Sequence, residues 1–198
     1  MPIRSPEPQC FPHDLLTNGG QAVGAAHFAD RFDPDQMVGR TWWVVHTKAR
    51  QEKSFARELL DREIPYFLPQ VSKTSVIRGR RRTSYIPLFT GYVFLYGSEL
   101  ERQQSLTTKR VANVLPAGGG EELARDLLQI WRLIEQDAPL TVESRLCAGD
   151  RVRVRGGALA GVEGTVIDRR GKCRVLVAVR LIQQGVSMEI DDFLLEPI

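Results

Sequence analysis

The sequence predicts an α+β fold, in which an open α/β sheet domain is followed by a small β-barrel. Two contrasts along the chain predict it. From residue 39 to residue 136, aromatic and β-branched runs alternate with segments whose apolar residues recur every three or four positions. That is the alternation of strands and helices in a layered sheet. From residue 146 to residue 198 the helical period stops, and short valine-rich runs separated by glycines take over, as in a small closed sheet of about five strands. Residues 137–145, with Pro139, read as the linker between the two. Residues 1–38 mix Pro2, Pro6, Pro8 and Pro12 with Asn18-Gly19-Gly20 and Asp33-Pro34 and show neither period. They are expected to be a flexible extension.

The elements follow in order. Trp42-Trp43-Val44-Val45-His46 is a strand by its aromatic and β-branched content. Arg50 to Arg62 is a helix, with Phe55, Ala56, Leu59 and Leu60 on one stripe and Pro65 beyond its end. Tyr66-Phe67-Leu68-Pro69 begins a second strand. Ser75-Val76-Ile77 and Thr83-Ser84-Tyr85 flank Gly79 and read as a protruding hairpin with a basic tip. Over Gly91 to Tyr96, Tyr92, Phe94 and Tyr96 alternate with Val93 and Leu95, so a strand presents three aromatic rings on one face. A short helix from about Glu99, a strand over Val111 to Leu115, and a helix from about Glu121 to Gln136 complete the first domain. Leu123, Leu127, Ile130, Trp131 and Ile134 form the buried stripe of the last helix. In the barrel, Val152 and Val154 alternate with Arg151, Arg153 and Arg155, which places the valines inside and the arginines outside.

The 198 residues carry a net charge of +3, with 42% hydrophobic and 26% charged residues, the composition of a soluble folded chain. No apolar run reaches the ~18 residues of a transmembrane helix. The proline-rich start lacks the apolar stretch of a secretory signal. No membrane partner is therefore expected. Cys10, Cys147 and Cys173 are too few and too scattered for a disulfide framework, which fits a reducing cytoplasm. Cys147 and Cys173 read as small buried hydrophobes. No glycine-rich phosphate loop, Cys-x-x-Cys or His-x-x-x-His occurs, and His13, His27 and His46 do not cluster in sequence. Neither enzymatic activity nor a cofactor or metal is expected.

Charge is unevenly distributed. Lys73, Arg78, Arg80, Arg81 and Arg82 stand together with no acid among them. Eight basic residues between Cys147 and Gln184 face three acids, whereas Glu189, Asp191, Asp192 and Glu196 make the tail acidic. Basic segments on a nearly neutral chain point to local contact with a polyanion.

Four stretches of sequence carry a family resemblance. Val152-x-Val154-x-x-Gly157-x-x-x-Gly161-x-x-Gly164-x-Val166 resembles the KOW motif of ribosomal proteins and transcription elongation factors. Trp42-Trp43-Val44-Val45 opening the first domain, and Pro87-Leu88-Phe89-Thr90-Gly91-Tyr92-Val93-Phe94 later in it, resemble the NGN domain of the NusG family. Val76-Ile77-Arg78-Gly79-Arg80-Arg81-Arg82 is similar to the basic hairpin of its specialised RfaH-type paralogues. The resemblance covers about residues 40 to 198.

The resemblance implies an NGN-type α/β sandwich followed by an SH3-like KOW barrel, and a monomeric factor that rides on the RNA polymerase elongation complex. Its first domain would bind the polymerase clamp helices through an exposed apolar pocket made here of His46, Phe89, Tyr92 and Phe94, and would suppress pausing or termination. Glu101, Arg102, Gln103 and Gln104 match where RfaH-type relatives touch the polymerase gate loop. Lys48, Arg50, Lys73, Arg78, Arg80, Arg81 and Arg82 would approach non-template DNA or the upstream duplex by neutralising phosphates. The barrel would recruit a small-subunit ribosomal protein or the Rho termination factor around Arg155, Gly157, Ala158, Leu159, Gly161 and Gly164. Gly157-Ala158-Leu159 stands where the family has Gly-Pro-Phe, which together with the basic hairpin favours an antitermination paralogue over the housekeeping factor. The valine-rich run and turn glycines favour a β-barrel over the helical hairpin of resting RfaH. A KOW-containing RNA- or ribosome-binding assembly protein is the alternative. It accounts for the basic barrel but not for the Trp42-Trp43 opening or the Phe89-to-Phe94 block.

Overall fold

The structure, a computed structural model, describes residues 8–16, 39–77, 79–118, 120–143, 145, 149–169, 172–191 and 194–198. The chain divides into two compact units, residues 1–120 and 121–198.

The first unit is built on a five-stranded antiparallel sheet. Its order is β1 (Cys10–Phe11), β3 (Tyr66–Phe67), β6 (Tyr92–Gly97), β2 (Thr41–Thr47), β7 (Val111–Pro116). In β2, Val44 lies opposite Phe94 of β6 and Leu115 of β7. Alternation then sends Val45, Val93 and Leu95 to one face. There Phe55, Ala56 and Leu59 of helix α1 (Glu52–Asp61) close over them with Ile64, Tyr66 and Leu68. All nine of these side chains are at most 1% exposed. The three- to four-residue spacing of the helix's apolar positions is what lets one stripe cover one sheet face.

The N-terminal extension is corrected in part. Residues 8–16 are folded, with Cys10, Leu15 and Leu16 buried. The outer edge of β3 carries unpaired peptide groups that a partner strand must satisfy. Cys10 and Phe11 pair with Phe67 and Tyr66, the Tyr66 hydroxyl donates to the Pro8 carbonyl at 2.9 Å, and the Leu68 N–H donates to Gln9 O at 2.7 Å. Burial pushes the Cys10 thiol pKa up. Residues 1–7 and 17–38 of the expected extension, like Cys147, lie outside the described residues.

The expected hairpin is a separate two-stranded ribbon, β4 (Gln70–Ile77) and β5 (Arg80–Pro87), joined through Gly79 at φ +74°. A two-residue turn between strands needs that left-handed backbone. Helix α2 (Glu99–Leu106) begins in a capping box: the Ser98 hydroxyl accepts from Glu101 N–H, and the Glu101 carboxylate accepts from Ser98 N–H.

The second unit combines helix α3 (Glu121–Glu135) with a six-stranded antiparallel sheet. The strands are β8 (Thr141–Glu143), β9 (Arg151–Val154), β10 (Glu163–Arg169), β11 (Lys172–Val179), β12 (Gln184–Glu189) and β13 (Leu195–Pro197), in the order β13-β9-β10-β11-β12-β8. Val152, Val154, Val175, Val177, Val179, Val186 and Met188 are buried, and Arg151, Arg153 and Arg155 are exposed, as the alternation requires. Two boundaries differ from expectation. Helix α3, expected to close the first domain, groups with the C-terminal sheet. The Asp126 carboxylate, only 3% exposed, accepts from the Arg180 backbone N–H at 3.0 Å and from its guanidinium at 2.8 Å, and Gln129 Oε1 accepts from Glu163 N–H at 2.6 Å. The expected linker 137–145 contains β8, paired with Gly185 to Ser187 of β12.

Candidate functional site

The Pro87-to-Phe94 block is tied to helix α1 by a buried hydrogen bond. Glu52 begins α1 with its carboxylate buried, and its Oε1 accepts the Gly91 N–H at 2.7 Å. A charge-assisted bond to a backbone donor inside the protein fixes the loop. Gly91 sits at φ +83°, and a Cβ built there would stand 3.1 Å from His46 Nε2. The missing side chain is therefore the seat of the His46 ring. From that seat His46 meets Tyr92, its cross-strand partner, at 5.2 Å between ring centroids. His46 is exposed and Tyr92 half-buried.

Phe89 and Phe94, both 0% exposed, form an edge-to-face pair at 6.4 Å; Phe94 also stacks on Phe67 at 6.3 Å. The four predicted residues thus form two ring pairs, His46 with Tyr92 and Phe89 with Phe94, and the burial of the second pair corrects the expected exposed pocket. Strand parity puts Tyr92 and Phe94 on one face, and parity carries no information on whether that face is covered. The surface is His46 with Tyr92. Phe89 and Phe94 lie inside, and the Phe89 carbonyl accepts the Tyr92 N–H at 3.2 Å.

The four predicted residues of α2 also divide. Glu101 pairs with Arg40 at 2.7 Å and closes the capping box. Arg102 pairs with Glu99 through Nε at 2.8 Å and lies 5.4 Å over the Trp43 ring. Both are engaged inside the unit. Gln103 and Gln104 are exposed, Gln103 donating to Glu99 at 3.1 Å. The Arg102 and Gln103 hydrogen bonds lower the Glu99 carboxyl to about 2.

Lys48 and Arg50 are exposed on the loop between β2 and α1, two and four residues beyond His46. On the ribbon, Lys73, Arg80, Arg81 and Arg82 are exposed; Arg78 lies outside the described residues. The ribbon's base is held firmly: Gln70 N–H donates to Gln9 Oε1 at 3.0 Å, Lys53 Nζ donates to the Tyr85 carbonyl at 2.5 Å, and Leu88 N–H donates to Pro69 O at 2.8 Å.

In the second unit, the turn from Gly157 to Gly161 is closed by Ala160 N–H to Gly157 O at 3.2 Å and Gly161 N–H to Val154 O at 2.8 Å. Gly157 and Gly161 take φ +79° and +82° and face open space. Ala158 and Arg155 are exposed and Leu159 is half-buried. Gly164 has a different role from the turn: a Cβ there would lie 2.5 Å from Val175 Cγ1 and 2.6 Å from Leu176 O, so it serves strand packing. Sequence reasoning missed the Asp126–Arg180 pair. Its signal was a carboxylate on the apolar stripe of a helix, three residues after Leu123 and one before Leu127.

Among the described residues, no group of three or more His, Cys, Asp or Glu is placed to hold a metal ion. Of the described helices, none is long and apolar enough to cross a membrane.

Two comparisons with known proteins give matches. Residues 40–127 match the family model described as transcription termination factor nusG. Among solved structures, a chain in the crystal structure of an MjSpt4:Spt5 complex, conformation B, is similar at 14% identity, covering 80% of this chain and 97% of that one, with a TM-score of 0.25.

Proposed function

We propose that this chain, whose residues 40–127 match the NusG family model, is a NusG-type transcription factor that acts in elongation by docking on RNA polymerase through the His46–Tyr92 surface. One observation carries the reading: the exposed His46 ring, paired with half-buried Tyr92, is seated on Gly91, a position where an added side chain would crowd it. A rigid, partly exposed Tyr beside an imidazole is the kind of preorganised anchor that dominates protein interfaces. Phe89, Phe94 and Glu52 hold it in place, while Gln103 and Gln104 offer a second, polar contact on α2. The factor binds its partner and carries out no chemistry of its own. It works in the cytoplasm as a monomer and reduces pausing or termination.

The ribbon cations and Lys48 and Arg50 contact nucleic acid beside the polymerase. The C-terminal sheet is the KOW barrel of the family. Its turn, with Ala158 and Leu159 between two left-handed glycines, recruits a small-subunit ribosomal protein in preference to Rho, since the aromatic residue of the family's turn is replaced by Leu159.

The test is binding to a reconstituted elongation complex by wild-type protein and by the double variant His46→Ala/Tyr92→Ala. Removing two central anchors weakens binding at least ~10-fold, while the thermal midpoint falls little, because neither side chain lies in the α1-covered core. Unchanged affinity places the polymerase contact elsewhere.

A further inference from the structure

The ribbon has two chemically different faces, and its register assigns every residue to one of them. Residues directly opposite in an antiparallel pair share a face. Lys73 is opposite Ser84, Ser75 opposite Arg82, and Ile77 opposite Arg80. One face therefore carries three successive rungs with a single cation each: Arg80 near the tip, then Arg82, then Lys73. Val71 and Ile86 lie at its base. The other face carries Arg81 with Val76, the Thr74–Thr83 pair, and Tyr85 with Ser72. The two threonine hydroxyls lie 3.3 Å apart, and Val76 and Tyr85 are 67% and 41% exposed.

Rungs on one face repeat every two residues, about 6.8 Å, twice the rise of about 3.4 Å per nucleotide that each strand of a duplex makes along the helix axis. Among the described residues, Lys73, Arg80, Arg81 and Arg82 make no ion pair, so no internal carboxylate has to be displaced. No aromatic residue occupies the three-cation face. Single-strand binding relies on aromatic platforms for the bases, and the ribbon's one aromatic, Tyr85, stands on the opposite side.

We infer that the Lys73–Arg80–Arg82 face is a phosphate ladder that lies along the backbone of double-stranded nucleic acid, with Arg81 and Tyr85 turned away from it. This rests on reading the ribbon as the factor's nucleic-acid contact and assigns that contact a face and a class of ligand. The chemistry recognised is a regular row of phosphates, which a DNA duplex and an RNA duplex both supply.

The experiment is fluorescence anisotropy of the full-length protein with labelled DNA duplex, RNA duplex and the corresponding single strands, from about 0.05 to about 0.2 M salt. Three proteins are compared: wild type, Arg80→Gln/Arg82→Gln, and Arg81→Gln. Both duplexes are bound more tightly than the single strands, and the tighter of the two names the source. In the double variant the slope of log K against log salt falls by about 1.8, since each phosphate contact contributes about 0.9. Arg81→Gln leaves the slope unchanged. The inference is overturned if Arg81→Gln flattens the slope as the double variant does, if the double variant leaves it unchanged, or if single strands bind more tightly than duplexes. Polymerase takes no part in this assay, so a wild-type protein that failed to dock on the elongation complex would leave these slopes as predicted. The two readings thus fail separately.

Discussion

At the scale of residues, position 91 decides the character of the candidate surface. Its left-handed backbone favours glycine, the absent side chain makes room for His46, and its N–H is taken by a buried Glu52 carboxylate. The sequence block around Gly91 was legible as a motif, and His46 and Tyr92 as a cross-strand pair. What alternation left open was burial, because it assigns faces without saying which face is covered. Glu99 shows a second local effect. Hydrogen bonds from Arg102 and Gln103 hold its carboxyl at about 2, below the ordinary 4.5. A depressed carboxylate adds to stability above the ordinary value and loses that contribution as pH falls through the folded one. The stabilisation of the α2 start is therefore complete above about pH 4.5 and lost toward pH 2. An NMR titration of the Glu99 carboxyl is expected to give a midpoint near 2, and Arg102→Ala to return it toward 4.5; a midpoint near 4.5 in the wild type would show that the pair does not form.

Elements separate what supports from what binds. Phe94 is a sheet-core residue on β6 packed between Phe67 and Phe89, and Tyr92, two residues before it, reaches the surface. Phe94→Ala is expected to lose about 3–5 kcal/mol of stability in denaturant unfolding, the range for truncating a buried Phe. Tyr92→Ala is expected to lose less than half as much. Equal losses would mean that Tyr92 is core as well. The long ribbon was readable because β-prone runs flank a glycine at hairpin spacing. β1 was not, since two residues, Cys10 and Phe11, are too short a run to display a period and stand among prolines. They form a strand because β3 presents an open edge, a tertiary cause that no local pattern contains. Helix α3 was read correctly as an element and assigned to the wrong neighbour. The periodicity of its stripe marks an apolar face without naming what covers it, and the Asp126–Arg180 bond that ties the helix to the C-terminal strands joins residues 54 apart.

For the molecule as a whole, two compact units carry two kinds of surface. The first holds the His46–Tyr92 ring pair and, on a separate ribbon, a row of cations that make no ion pair among the described residues. The second holds a turn between two left-handed glycines on a valine-lined sheet. Under the proposed function the two units would hold separate partners, and two weak contacts on one chain raise each other's effective concentration. The central claim is that polymerase, and not nucleic acid alone, is the platform. It is tested most directly by a native gel shift at about 0.15 M salt, comparing a reconstituted bacterial elongation complex with the same nucleic-acid scaffold lacking polymerase. The account predicts that the complex shifts at protein concentrations that leave the bare scaffold unshifted. A scaffold that shifts as readily without polymerase would contradict it and identify the chain as an RNA- or ribosome-binding protein built on the same fold.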